Sequence, residues 1–230
     1  MPPSAPAQRS LWISTIGLKI VMAGTGLLLV GFVVFHMLGN LQVFAGREAF
    51  NDYAEFMQSL GGLLWVARLS LLGLLVAHVG SAILLVRRNM AARPKAYARS
   101  RHQRSSPWGR TMMLTGVVVL AYIAYHLAHF TLGVAHPEHF GGLDEAGRHD
   151  VYTNFVLSFQ NPVIVGTYVF ANIAVAAHLA HATTSVFRTL GFSVGRIKDP
   201  IAKVGPALGA VVAIGNLAMP LACLFGALTV

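Results

Sequence analysis

Five runs of predominantly apolar residues divide this chain, and each is long enough to cross a bilayer, which takes about 20 residues. They fall at roughly 17–43, 63–86, 111–134, 162–187 and 204–228. A backbone in hydrocarbon must satisfy its hydrogen bonds internally, so runs of this kind are helices. Of 230 residues, 55% are hydrophobic and 11% charged, and the mean hydropathy of +0.63 is too apolar for a soluble domain of this size. The expected fold is an all-α integral membrane protein with five transmembrane helices, one domain over 1–230. The first run follows a short polar leader, Met1 to Ser10, and has full span length, so it is expected to remain as a helix rather than be cleaved.

The net charge of +9 is unevenly placed. Arg9, Lys19, Arg87, Arg88, Arg93, Lys95, Arg99, Arg101, Arg104, Arg110, Arg188, Arg196, Lys198 and Lys203 belong to the leader and to the 87–110 and 188–203 loops, with Asp199 the one acid among them. The 44–62 and 135–161 loops, with the start of the second run, hold Arg47, Arg68 and Arg148 beside Glu48, Asp52, Glu55, Glu138, Asp144, Glu145 and Asp150. The excess of Lys and Arg on one set of loops predicts a cytoplasmic N-terminus and an external C-terminus in a bacterial-type cytoplasmic membrane. The basic loops serve either orientation and lipid headgroup contact or docking of a soluble partner. The single Cys223 excludes an intrachain disulfide and a thiolate-ligated iron–sulfur cluster within the chain. No Gly-rich nucleotide fingerprint is present.

Four apolar runs each carry a histidine: His36, His78, His126 and His178. An ionisable group within a membrane span is a functional candidate. Depth pairs them. By helix rise, His36 lies about 25 Å from Lys19 and His126 about 24 Å from Arg110, while His78 and His178 lie about 14 and 15 Å from Arg87 and Arg188. His36 and His126 therefore share an outer level, and His78 and His178 an inner one, with about 10 Å between levels. Two pairs at two levels match two bis-histidine haems held in a four-helix bundle formed by the first four helices. His129 and His181 follow candidates by three residues on nearly the same face, so the roles within His126/His129 and His178/His181 are exchangeable. Spacing and level favour the first of each, leaving His129 and His181 as polar neighbours of propionate or quinone. His102, His136, His139 and His149 fall in loops, where solvation accounts for them.

An internal repeat accompanies the histidines. Met22, Ala23, Gly24, Thr25 and Gly26 precede His36 by ten residues, counted from Gly26; Met112, Met113, Leu114, Thr115 and Gly116 precede His126 by the same interval. Gly17, Gly24 and Gly31 recur every seven residues, and Gly73, Ala77 and Gly80 surround His78. Small residues at such positions suit close helix packing or clearance for a haem.

These segments resemble the single-chain, di-haem cytochrome b anchor of succinate:quinone oxidoreductases (succinate dehydrogenase and fumarate reductase, complex II). The resemblance rests on Ser14 through Gly26; on Phe35, His36, Gly39 and Asn40; on Trp65 and Arg68 leading to His78, then Arg87, Arg88, Asn89, Arg93 and Pro94; on Tyr125, His126, His129 and Phe130; and on His178, His181, Ser185, Leu190 and Gly191. It covers the first four spans, and the fifth less well. It implies five helices, one haem-ligating histidine on each of the first four, and pairing of helix one with three and two with four. The fourth-helix ligand of the family stands thirteen residues before a glycine matching Gly191, which implies His178 rather than His181. Ala176 stands where some fumarate reductases have a glutamate linked to proton transfer, and Ala182 where glycine is usual, so that proton route is not expected.

The implied function is electron transfer between an iron–sulfur subunit and membrane quinone (menaquinone or ubiquinone), through the inner and then the outer of two b haems. Succinate or fumarate chemistry would reside on a separate flavoprotein. Both soluble subunits would dock on the cytoplasmic face, and lipid but no nucleic acid is an expected partner. Ser14 and Lys19 are inner quinone candidates, Arg68 a cofactor neighbour, and Asp52 and Glu55 outer proton-handling candidates. Two other readings share parts of this pattern: a di-haem cytochrome b of a membrane hydrogenase or formate dehydrogenase, and a cofactor-free transporter or structural membrane protein.

Overall fold

The computed structural model describes residues 14–92, 107–192 and 194–230. Arg9, Arg93, Lys95, Arg99, Arg101, Arg104 and His102 lie outside the described residues. Among the described residues, five helices are long and apolar enough to span a membrane, within Thr15–Ala45, Gly62–Ala91, Met112–Thr131, Pro162–Thr189 and Gly195–Leu224.

Helix α1 (Thr15–Asn40) starts where the Ser14 hydroxyl accepts from the Gly17 N–H at 3.0 Å, satisfying one of the donors a first turn leaves open. It tightens into a 3₁₀ turn over Leu41–Ala45 and breaks at Gly46, whose φ of 99° disfavours a side chain. Helix α2 (Arg47–Ser59) buries Phe50 and Asn51, and Gly61 turns the chain into α3 (Gly62–Ala91). A short helix α4 (Pro107–Arg110) leads to α5 (Met112–His126). Helix α5 closes in a π-helical turn over Leu127–Thr131, marked by the Leu132 N–H reaching the Leu127 carbonyl at 2.8 Å. Asp150 caps α6 (Val151–Ser158) by accepting from the Thr153 N–H. Asn161 caps α7 (Pro162–Thr189), with Pro162 at the position where its missing N–H costs nothing. Helix α8 (Lys198–Leu224) completes the chain.

The structure differs from the sequence expectation at several helix ends: α3 runs on through Arg87 and Arg88, and α7 includes Arg188. The fifth helix begins at Lys198, so Lys198, Asp199 and Lys203 lie on its first turns rather than in the preceding loop. Asp199 and Pro200 suit a helix start, through the dipole and the fixed φ respectively. The two acidic segments are not plain loops either: each contains a helix, α2 and α6, with α6 burying Tyr152, Phe155 and Val156.

Helix α7 is the centre. It packs against α1, α5 and α8, while α3 leans on α1. The seam with α8 is backbone to backbone: a Cβ built on Gly205 would strike the Ala180 carbonyl, and one on Gly209 would come within 2.7 Å of the Ala176 carbonyl oxygen. Close approach through glycine is how membrane helices gain packing energy where lipid offers no hydrophobic drive. By contrast, a Cβ on Gly24, Gly31, Gly73 or Gly80 would meet nothing within 4 Å among the described residues. On α1, Gly17 is buried while Gly24 and Gly31 make no such close approach among the described residues. An Asn216–Asn172 bond at 2.9 Å ties α8 to α7 at mid-span.

The acidic segments converge at one end. Arg47 pairs with Asp150, and Arg148 joins Glu48, Asp52 and Asp144. The C-terminus reaches the same end, where the Tyr152 hydroxyl donates to the Thr229 carbonyl at 3.1 Å. Cys223 is buried, 2% exposed. Substituting Gly205→Val should push α8 off α7, costing about 1–3 kcal/mol as overpacking does. Maleimide labelling of Cys223 should be slow in the parent protein and faster in the variant; equal rates would show that this seam does not hold α8.

Candidate functional site

Each imidazole inside an apolar helix presents a ring N–H that must find an acceptor or pay for its burial. On α3, His78 meets that need across the helix pair: its Nδ1 lies 3.2 Å from the Thr25 Oγ1 on α1. Thr25 also reaches back to the Val21 carbonyl at 2.7 Å. A hydroxyl has one proton, and the Val21 carbonyl takes it. An oxygen so committed would accept from a His78 ring protonated on Nδ1, which would leave the Nε2 lone pair free. The neighbouring Gly26 supplies the room, since a Cβ there would stand 3.2 Å from the His78 Cε1.

The second helix pair repeats the arrangement. Thr115 on α5 lies 3.2 Å from the His178 Nδ1 on α7, and its hydroxyl faces the Thr111 and Met112 carbonyls at 3.1 Å each. Here a Cβ on Gly116 would sit 3.6 Å from the His178 Cε1, an ordinary contact. The Thr-Gly repeat is thus a seat for a histidine on the following helix, not a spacer for the histidine later on its own.

His36 and His126 face one another with ring centroids 5.7 Å apart, edge to face. Phe32 stacks on His36 at 5.2 Å, and Tyr122, Phe130 and Tyr168 surround His126. On both α1 and α5 the histidine follows the seating threonine by eleven residues, which helix rise converts to about 16 Å. That spacing along α1 and α5 compares with the about 10 Å between levels expected from the flanking basic residues.

His129 is fully buried, with its Nδ1 3.0 Å from the Tyr168 hydroxyl and its Nε2 3.1 Å from the Ser158 Oγ. Both ring nitrogens are thereby engaged. The Tyr168 hydroxyl also lies 3.4 Å from the His126 Nδ1. His136, expected to be a solvated loop residue, is half-buried and bonds the Tyr125 hydroxyl through Nε2 at 2.9 Å. It is drawn in because the loop folds back over the end of α5. His181 is half-buried one turn beyond His178.

The remaining candidates have local roles. Ser14 caps α1. Lys19 and Glu55 are exposed. Arg68 lies over the Trp65 ring, 5.2 Å from its centroid. Asp52 is paired with Arg148 and belongs to the acidic-end cluster. Sequence reasoning missed Tyr168, Ser158 and the true partners of Thr25 and Thr115. The repeat was visible in the sequence, but which helix each threonine serves depends on packing.

Among the described residues, no group of three or more His, Cys, Asp or Glu is placed to hold a metal ion. Haem iron needs only two axial side chains, and two pairs of imidazoles would be a fitting donor set. The glycine beside His78, where a Cβ would crowd the ring, adds a built seat. No protein family, curated protein or solved structure matches this chain.

The acidic-end cluster has its own pH signature. Burial alone would raise the Asp150 carboxyl, but hydrogen bonds from Arg47, Thr153 and Asn51 outweigh it and hold the group well below the usual carboxylate range. A depressed folded value stabilises above the unfolded carboxylate value of about 4 and is lost as pH falls below it. Unfolding in detergent should therefore ease as pH drops from about 5 towards 3. Asp150→Asn should flatten that dependence at a cost of about 1–2 kcal/mol at neutral pH, the pair being screened because the Arg47 side chain is 40% exposed. An unchanged acid slope in the variant would assign it to other groups.

Proposed function

We propose that this chain is the membrane anchor and electron-transfer subunit of a succinate:quinone oxidoreductase, carrying two b haems. The observation that carries the haem assignment is the duplicated threonine–histidine contact, in which Thr25 and Thr115 leave the Nε2 lone pairs of His78 and His178 available. His36 and His126 face one another directly, and His78 with His178 is the other proposed pair. His129 supports the choice of His126, since its own nitrogens are both engaged by Tyr168 and Ser158. The complex II assignment rests on the sequence resemblance over the first four spans. Helices α1, α3, α5 and α7 form the proposed bundle.

Bound at each pair, a haem supplies reversible one-electron chemistry. The chain's own residues set its axial nitrogens, its burial and the nearby polar contacts. The basic end, with Lys19, Arg87, Arg88, Arg110, Arg188, Arg196, Lys198 and Lys203, is the proposed cytoplasmic face. It would receive an iron–sulfur subunit and, beyond it, a flavoprotein. Membrane quinone is the proposed partner substrate, with Lys19 and Glu55 the exposed candidates at opposite ends.

A reduced-minus-oxidised spectrum of the purified complex should show two b-type components. His36→Ala and His126→Ala should remove one, and His78→Ala and His178→Ala the other, while His129→Gln should leave both six-coordinate. Loss of the same component from His36→Ala and His78→Ala would refute the pairing, and absence of b-type bands would refute the cytochrome reading. A co-purifying flavoprotein supports complex II; a nickel or molybdenum subunit would move the chain to the hydrogenase or formate dehydrogenase type. Topology is checked separately in intact cells. An impermeant maleimide should label Glu145→Cys and not Arg196→Cys, with buried Cys223 silent; the reverse pattern would invert the chain.

A further inference from the structure

We infer that Thr25 and Thr115 are a matched pair of positioning residues that fix the tautomer and basicity of His78 and His178, an inference that rests on the haem reading above. The geometry is the same on both sides. Each threonine hydroxyl sits 3.2 Å from a histidine Nδ1 on the next long helix. Each is also anchored on its own helix, Thr25 to Val21 at 2.7 Å and Thr115 to Thr111 at 3.1 Å. The anchoring decides the direction of the cross-helix bond. With its single proton given to a carbonyl, the hydroxyl oxygen is an acceptor, and each imidazole is left as an Nδ1–H donor. The backbone carbonyl behind the hydroxyl polarises it, and that strengthens the bond and raises electron density on the ring. Such outer contacts orient an axial imidazole and raise its basicity.

The two helix pairs are thus self-contained half-sites. Helix α1 prepares the histidine of α3, and α5 prepares the histidine of α7. A single inner centre would then be braced from opposite sides by two copies of one device. The outer pair lacks it: His126 meets the phenol of Tyr168 instead. The consequence is selective. Replacing a seating threonine should alter the inner component and leave the outer one alone, which a general loss of stability would not do.

The test compares the parent protein with Thr25→Val, Thr115→Val and the hydroxyl-restoring Thr25→Ser, each as the full chain within its complex. Redox titration should show one b-type component shifted upward in both valine variants, because a less basic imidazole favours the oxidised form less. Only the difference in hydrogen-bond strength between the oxidised and reduced states moves the potential, so the upward shift should stay below the about 59 mV that a tenfold change in their ratio gives for one electron. The serine variant should return it to the parent value. Histidine ¹⁵N spectra of the reduced, diamagnetic protein should show a hydrogen-bonded Nδ1–H at 78 and 178. That bond should be lost at 78 alone in Thr25→Val and at 178 alone in Thr115→Val. Unchanged potentials and unchanged ¹⁵N shifts in both valine variants would overturn the inference, as would equal shifts of both components. If the parent showed no b-type bands, the haem reading would fall. The ¹⁵N comparison would then still decide whether the threonines set the tautomer.

Discussion

A polar ring inside a hydrocarbon slab must have its N–H answered by the protein, because no water is there to answer it. That requirement organises the interior of this chain. His78 and His178 are answered by threonines from neighbouring helices. His129 is answered twice, by Tyr168 and Ser158. Each answer fixes the register of one helix against another, since a one-residue slide would carry the hydroxyl away from the ring by about 1.5 Å and rotate it about 100° around the helix. Apolar packing alone tolerates such slides better in a membrane, where lipid is as apolar as leucine. The polar contacts therefore specify which of many similar apolar arrangements the helices adopt.

The acidic end imposes a second constraint from outside the spans. Helix α2 belongs to the connection between the first two long helices, and the 144–150 segment to the connection between the third and fourth. Arg47 with Asp150, Asn51 with Asp144 and Asp150, and Arg148 with Glu48 and Asp52 join the two connections. Each helix pair has its own threonine–histidine contact, and this cluster joins the pairs at one end, in addition to the packing of α7 against α1. Asn51 is central to it: fully buried, it also accepts from the Tyr152 N–H at 3.0 Å. Exposed surface ion pairs add little singly, but a buried amide that bridges two carboxylates makes the network cooperative.

How much of this was legible in the sequence follows from what each feature depends on. The five helices were legible because span length and composition are properties of a continuous segment. The charge division was legible for the same reason, and the structure gathers the acidic segments at one end as that division implied. The pairing of His36 with His126 could be framed from linear depth alone, and the two rings do face each other. Contacts between helices were less accessible. Gly24 and Gly31 looked like a packing seam by their period, yet Gly205 and Gly209, in a helix with no histidine to draw attention, make the close approach. Asp52 and Ser14 looked chemically available because neither Arg148 nor the Gly17 N–H could be placed beside them from sequence spacing alone. The π turn at the end of α5 left no trace in hydrophobic period at all.

The repeat shows where local pattern and three-dimensional meaning part company. Thr-Gly followed by His at a fixed interval on one helix is a single repeat in the sequence. In the fold its residues serve two levels. The Thr-Gly portion faces the histidine of the next helix, and the His portion, eleven residues beyond the threonine, faces a different partner at the other depth. The interval is conserved between the two copies because it measures the distance between levels, not because its ends touch. A helix that must contribute to two sites at fixed separation can keep only spacings that bring both sets of residues to the interior face. Eleven residues is close to three turns at 3.6 residues per turn, so the threonine and the histidine emerge on the same side of the helix. The spacing is therefore a geometric consequence of building two polar sites, one above the other, from helices that each pass both.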